Sequence, residues 1–208
     1  MKKTPRPYLS YSQLSALEYS EAQYIKNYIW GKKQEDNEYF RVGKLIHSAL
    51  EKREEKHDQY IEDIKKQIKK YPQREHKIEV MLGDIPLYGV LDGFSRTHLK
   101  ICDYKTGMKP NLTGWKNQAL FYSLMIFLKY KKIPKEFKIF YIKTKRNDED
   151  QLVVVGSVRE YNIDISLKDI IRFTPRVIKG WARIHELVIN ERNQWGELPC
   201  DKKVGSTL

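Results

Sequence analysis

The sequence predicts an α/β fold: a central mixed β-sheet of about five strands flanked by helices. Three observations carry that expectation. Apolar residues at helical spacing dominate both ends of the chain, short runs of β-branched and aromatic residues lie between turn signals in the middle, and the order is helices, three strands, a helix, two strands and a closing helix. A mixed sheet with helices packed around it is the simplest architecture for that order. At 208 residues with 40% hydrophobic content, the chain suits one domain of ordinary size with a real core.

Residues 1–9 read as a flexible arm. From Ser10 the pattern turns helical: Ser10 and Gln13 have the spacing of a capping box, and Leu14, Leu17, Tyr24 and Tyr28 fall roughly on one face. A polar break, GKKQEDNE, leads to YFRVGKLIHSALEKREEKHDQYIEDIKKQIKKY, a long helix or pair of helices whose second half carries both charge signs and reads as a solvated face. The period then changes. HKIEVML, PLYGVLDGFSR and LKICDYKTG are three strand-like segments separated by GDI and THL, expected as successive antiparallel hairpins. After the loop GMKPNLTG, WKNQALFYSLMIFLKYKK is apolar enough for a buried helix. EFKIFYIKTK and QLVVVGSVREYNI then read as two further strands around the turn RNDED. The last segment, SLKDIIRFTPRVIKGWARIHELVINERNQW, is an amphipathic helix expected to bend or restart near Pro175. The expected organisation is a single domain over 10–200, with a helical part at 10–72, a core at 75–165, a closing helix at 166–195 and a flexible tail at 201–208.

Charge and cysteine content narrow the function classes. Lys and Arg total 39 against 27 Asp and Glu, a formal charge of +12. That excess favours a polyanionic partner, nucleic acid before an acidic membrane; the alternative is that it only keeps the protein soluble. Cys102 and Cys200 are too few for a secreted disulfide framework or a four-cysteine zinc or iron–sulfur site within one chain. The two lysines at the amino terminus have no apolar segment behind them, and no run approaches the length that spans a bilayer. The expected address is therefore a reducing cytoplasm, with no membrane partner.

The stretch LKICDYKTGMKP carries the chemistry. Alternation along a strand puts Ile101, Asp103 and Lys105 on one face and Cys102 and Tyr104 on the other. An exposed face with an ordinary ion pair is one explanation. The preceding strand weakens it, because Asp92 sits there among apolar and glycine neighbours, and a hairpin can bring Asp92 and Asp103 together near one end of the sheet. Two carboxylates beside a lysine make a site for a hard divalent cation, since Mg²⁺ and Mn²⁺ take oxygen ligands and share them with substrate phosphate. The lysine would position a water or stabilise charge on the phosphate.

These residues, GVLDGFSRTHLKICDYKTG, resemble the core signature of the PD-(D/E)xK nuclease superfamily in its RecB-like exonuclease branch, which also includes the CRISPR-associated RecB-like nucleases. Asp92 stands at the first acidic position, and Asp103 and Lys105 form the D-x-K half. GKLIH, Gly43 to His47, matches the branch's G-x-x-x-H helix, NQALFY supplies Gln118 and Tyr122 in its Q-x-x-x-Y pattern, and LSYSQLSALEYSEAQY looks like its first helix. The resemblance runs in order from about residue 9 to about residue 145 and implies a restriction-endonuclease-like core. It implies His47, Asp92, Asp103 and the Tyr104 backbone carbonyl as ligands of Mg²⁺ or Mn²⁺, with the Tyr104 ring packed away from the site. A core-packed histidine is the alternative at His47. Lys105 is then the catalytic lysine, with a surface salt bridge as its alternative. Gln118 and Tyr122, one helical turn apart, face the DNA backbone or the active-site side chains; ordinary helix polarity and core packing are theirs. Glu79 occupies a strand position where the branch often has a glutamate near the metal, and an exposed strand residue is the competing explanation. His57, His76, His98 and His185 have no partner spacing and are expected at the surface. Some members of the branch hold an iron–sulfur cluster through an early cysteine and a late cysteine group. This chain has Ser20 and Glu21 at the early position and only Cys200 late, so no cluster is expected.

Two basic sets are candidates for nucleic-acid contact. One is KYKKIPKEFKIFYIKTKR, with Lys129, Lys131, Lys132, Lys135, Lys138, Lys143, Lys145 and Arg146; the other is Arg172, Arg176, Lys179 and Arg183, spaced four, three and four apart, which forms one stripe on a helix. A solvated helix face explains the stripe equally well. No base-reading motif is present, so recognition of backbone, ends or single strands is expected. The expected function is a divalent-metal-dependent DNA nuclease, an exonuclease acting on DNA ends or single strands in recombination, repair or phage replication. Any helicase, recombinase or single-strand-binding partner would be a separate chain. The alternatives are an endonuclease of the same fold and a non-catalytic nucleic-acid-binding subunit.

Overall fold

The computed structural model describes residues 6–32, 43, 62, 71–155, 157–196 and 198. The described chain runs α1 (Tyr11–Tyr19), α2 (Glu21–Tyr24) with a π-helical turn (Ile25–Ile29), β1 (Gln73–Leu82), β2 (Ile85–Ser95), β3 (Lys100–Gly107), α3 (Leu112–Tyr130), β4 (Glu136–Arg146), β5 (Leu152–Val154), β6 (Arg159–Asn162) and α4 (Leu167–Trp195). The sheet order is β1-β2-β3-β4-β5, with β6 also paired to β4. β2 and β3 are antiparallel, whereas β3 and β4 are parallel with α3 as the connection, so the sheet is mixed, as the sequence predicts. The helical segment expected over residues 39–71 lies outside the described residues, apart from Gly43 and Glu62, both helical, and Tyr71, which is buried and not helical. No helix among the described residues is long and apolar enough to cross a membrane.

The chain forms two compact units, and β1 and β2 contribute to both. The first comprises Met1–Glu35, Glu79–Gly89 and Lys168–Leu208. Ser10 caps α1 by accepting from the Gln13 amide at 3.4 Å, and the Gln13 side chain donates to the Tyr8 carbonyl at 2.9 Å and reaches Ser10 Oγ at 3.4 Å. The helix expected as one piece restarts at Ser20. That residue is extended (φ −166°) and its hydroxyl accepts from the Gln23 amide, so a serine cap competes with helix continuation and wins. Leu9, placed by the sequence in the flexible arm, is fully buried and bridges Leu87, with its amide and carbonyl bonded to Pro86 and Tyr88 at 2.8 and 3.0 Å. α4 buries Ile170, Phe173, Val177, Gly180, Ile184, Leu187 and Val188; a Cβ on Gly180 would collide with Leu14.

α4 is continuous through Pro175, where a bend or restart was expected. The carbonyl that loses its amide partner belongs to Ile171, an exposed residue, so water can replace the missing bond, and the buried stripe on either side holds the helix.

The second unit comprises Asp36–Ile78 and Val90–Leu167. α3 starts three residues before the apolar run, because Asn111 caps it by accepting from the Gly114 amide at 2.9 Å. It lays Trp115, Ala119 and Tyr122 on one face of the sheet: Trp115 meets Tyr141 at 5.3 Å between rings and Tyr122 stacks on Phe137. Each large side chain so buried contributes about 1.5–3 kcal/mol. The last expected strand is two, β5 and β6. Between the pairs Val154↔Thr144 and Arg159↔Tyr141 the chain advances five residues against three on β4. The two extra residues interrupt the ladder, and because two is the side-chain period of a strand, the faces are preserved across the interruption. His76 and His185, expected at the surface, are half-buried: His76 stacks on Phe94 at 4.9 Å and His185 packs edge-on to Trp181 at 4.7 Å. His98 lies in an exposed turn, and His57 is outside the described residues.

Candidate active site

β2 and β3 pair through Ser95↔Lys100, Phe94↔Ile101 and Gly93↔Cys102. One further step would set Asp92 opposite Asp103, on the same face, since facing residues of neighbouring strands share a face. The two strands pair no further: Asp92 Oδ2 accepts the Tyr104 amide at 2.8 Å, so a side chain takes the place of the ladder bond. Gly93 is needed at the last paired position. A Cβ there would lie 2.5 Å from Cys102 Sγ and 3.1 Å from Tyr71 Cβ on the face opposite the carboxylates.

Asp103 is 2% exposed. Its Oδ1 accepts from Gln118 Nε2 of α3 at 3.1 Å, and its Oδ2 lies 2.5 Å from Lys105 Nζ. Gln118 also reaches Tyr122 Oη at 3.4 Å, so the two α3 residues act on Asp103 as a linked pair. Burial pushes the Asp92 carboxyl well above the usual carboxylate range, and the like charge of Asp103 adds to the rise; Lys105 and the Tyr104 amide oppose it. Burial, then the charge of Asp103, raises the Tyr122 phenol, so Tyr122 is a neutral hydroxyl. Tyr104 turns its ring to the other face, against Phe140 at 6.0 Å with its hydroxyl near Cys102 Sγ, as expected. Gly43 stands against Thr106 of β3, whose Oγ1 is 3.6 Å from where a Cβ would be. His47 lies outside the described residues.

These features bear on a divalent cation. Asp103 Oδ2 is buried and accepts no hydrogen bond of ordinary geometry; the Lys105 contact is an ion pair. Two desolvated carboxylates on adjacent strands repel each other, which a cation would relieve, so Asp92 and Asp103 fit a hard metal as donors. Among the described residues no group of three or more His, Cys, Asp or Glu side chains closes on one point.

Glu79 is exposed on β1. The β1 carboxylate that acts on the site is Glu75, whose charge raises both Asp92 and Tyr122. Counting back from Leu82 and Ile85 across the two-residue turn at Gly83 and Asp84 brings Glu75, and not Glu79, level with Asp92. Glu75 also holds φ +45°, a conformation uncommon for a non-glycine residue. That hairpin count was available in the sequence.

The basic candidates separate. Lys129, Lys131 and Lys132 sit at the carboxyl end of α3, eleven or more residues from Gln118, which is about 16 Å along a helix. Arg146 is held by Asp150 at 3.2 Å in the β4–β5 turn. Arg176 is paired with Glu18, and Arg183 with Glu21 and Glu186, so half of the α4 stripe joins helices of the first unit; Arg172 and Lys179 make no ion pair among the described residues and are exposed. Lys143 and Lys145 are exposed on β4.

No family model matches the chain, and no curated protein does. Among solved structures, the chain shares its fold with a protein from Eubacterium rectale called "Putative exonuclease", at 13% identity and a TM-score of 0.61 over 88% of this chain and 82% of that one. The crystal structure of SSO0001 aligns at 17% identity and a TM-score of 0.45 over 86% of this chain and 78% of that one.

Proposed function

We propose that this protein is a divalent-metal-dependent DNA nuclease, an exonuclease that hydrolyses phosphodiesters at DNA ends or in single strands during recombination, repair or phage replication. The observation that supports it most is the ion pair of a buried Asp103 with Lys105, beside the raised carboxyl of Asp92 on the neighbouring strand and under Gln118. A buried carboxyl raised in this way beside a lysine-paired carboxylate is the kind of arrangement found at functional sites. The name of the fold neighbour agrees with the reading.

Mg²⁺ or Mn²⁺, held by Asp92, Asp103, the Tyr104 carbonyl and His47, would supply Lewis-acid activation of water and phosphate. The chain's own residues do the rest. Gln118 orients Asp103 by holding Oδ1, leaving Oδ2 directed at Lys105. Lys105, partly exposed and anchored at 2.5 Å to Asp103, is placed to donate to an attacking water or to a phosphate oxygen. Asp92, whose carboxyl is raised by burial and by the charge of Asp103, would be favoured in its charged form by a cation beside it. The proposed partners are DNA and, as separate chains, a helicase, recombinase or single-strand-binding protein.

Digestion of end-labelled linear and covalently circular DNA, single- and double-stranded, with Mg²⁺, Mn²⁺ or EDTA tests the reading beside a Lys105→Ala control. Loss of linear substrate alone, dependent on metal and abolished by the substitution, is the expected result. Cleavage of circles would make it an endonuclease, and no cleavage with retained DNA binding would make it a binding subunit.

A further inference from the structure

The parallel register of β3 and β4 sets Tyr141 beside Lys105 and Lys143 beside Gly107, and the β4–β6 register sets Arg159 beside Tyr141. Register partners share a face, and residues two apart on a strand share it too, so Lys105, Lys143, Lys145 and Arg159 all stand on the face that carries Asp103. Packing confirms the assignment: α3 covers that face through Gln118 on Asp103 and Trp115 on Tyr141. The group centres on Gly107, whose carbonyl accepts from Tyr141 Oη at 2.6 Å, and Arg159 is near enough to that phenol to lower its pKa against the effect of burial. By strand spacing, Lys143 and Arg159 lie about 8–10 Å from Lys105.

Lys143, Lys145 and Arg159 are exposed, and none makes an ion pair among the described residues. The opposite face is different: Lys138 there is neutralised by Glu160 at 2.6 Å. Exposed cations in a run along this face, continuous with Lys105, are what a strand of phosphates requires.

We propose that Lys143, Lys145 and Arg159 form a phosphate track that carries the substrate strand from Lys105 across β4 to the β6 edge. The proposal rests on the nuclease reading and adds to it the path of the nucleic acid and a role for Arg159. The track reads backbone charge, so it serves any base sequence.

Anisotropy of a labelled oligothymidylate in EDTA, titrated across a salt series, tests it with Lys143→Gln, Lys145→Gln, Arg159→Gln and the control Lys138→Gln. Each track variant is expected to weaken binding and flatten the slope of log affinity against log salt by about 0.7, the single-strand value per phosphate contact. Lys138→Gln is expected to match the wild type. With metal, the track variants are expected to raise KM and keep kcat. Wild-type slopes in all three variants would overturn the track and leave the nuclease reading standing; a wild type that binds no oligonucleotide would overturn both.

Discussion

Asp92 sits where burial and a like charge both oppose its ionisation. Its carboxyl is pushed above the ordinary 3.8 by burial first and by Asp103 second. Folding therefore takes up a proton in the window above pH 3.8, and stability falls as pH rises through that window, levelling off above the raised value. In EDTA the melting temperature of the wild type is expected to descend across this range, whereas Asp92→Asn, which has no proton to lose, lacks that descent and melts higher at neutral pH. Parallel thermal scans from pH 4 upward check this; identical pH profiles would mean that Asp92 ionises without cost. Gln118→Ala removes the donor to Asp103 Oδ1, and a buried acceptor left short costs about 1–3 kcal/mol. Both a lower denaturation midpoint and a lower kcat are expected. Asp103 and Lys105 were legible as a pair because a two-residue spacing on a strand fixes their face; that Gln118 holds the other oxygen depended on where α3 crosses.

At the scale of elements, the end of β2 makes the site by ceasing to pair. Gly93 lets β2 approach Cys102 and Tyr71 closely, just before Asp92 leaves the ladder. Gly93→Ala puts a methyl into Cys102 Sγ and is expected to cost about 1–3 kcal/mol, measured by denaturant unfolding. α3 delivers Gln118 and Tyr122, and its first turn depends on Asn111; Asn111→Ala is expected to cost about 1 kcal/mol while leaving the Asp103–Lys105 pair intact. The α4 stripe shows what an element's own pattern leaves open. Arg172, Arg176, Lys179 and Arg183 are evenly spaced, and spacing alone does not say whether a cation faces a ligand or, as for Arg176 and Arg183, an acidic residue on another helix.

For the whole molecule, cation binding should appear as stability. A ligand at 100 times its Kd adds about 2.7 kcal/mol to the native state. Mg²⁺ or Mn²⁺ is expected to raise the melting temperature of the wild type and not that of an Asp92→Asn, Asp103→Asn double variant; an equal rise in both would place the cation elsewhere. The sequence by itself determined the α/β class, the strand–helix–strand order and the face shared by Asp103 and Lys105, because these follow from local periods of two and 3.6 residues. Tertiary structure decided the rest. It split the last strand, carried α4 through Pro175, and divided the basic residues between ion pairs and an open face beside Lys105. Each depends on which residues a distant part of the chain sets opposite, and pairing at a distance leaves no period in the sequence.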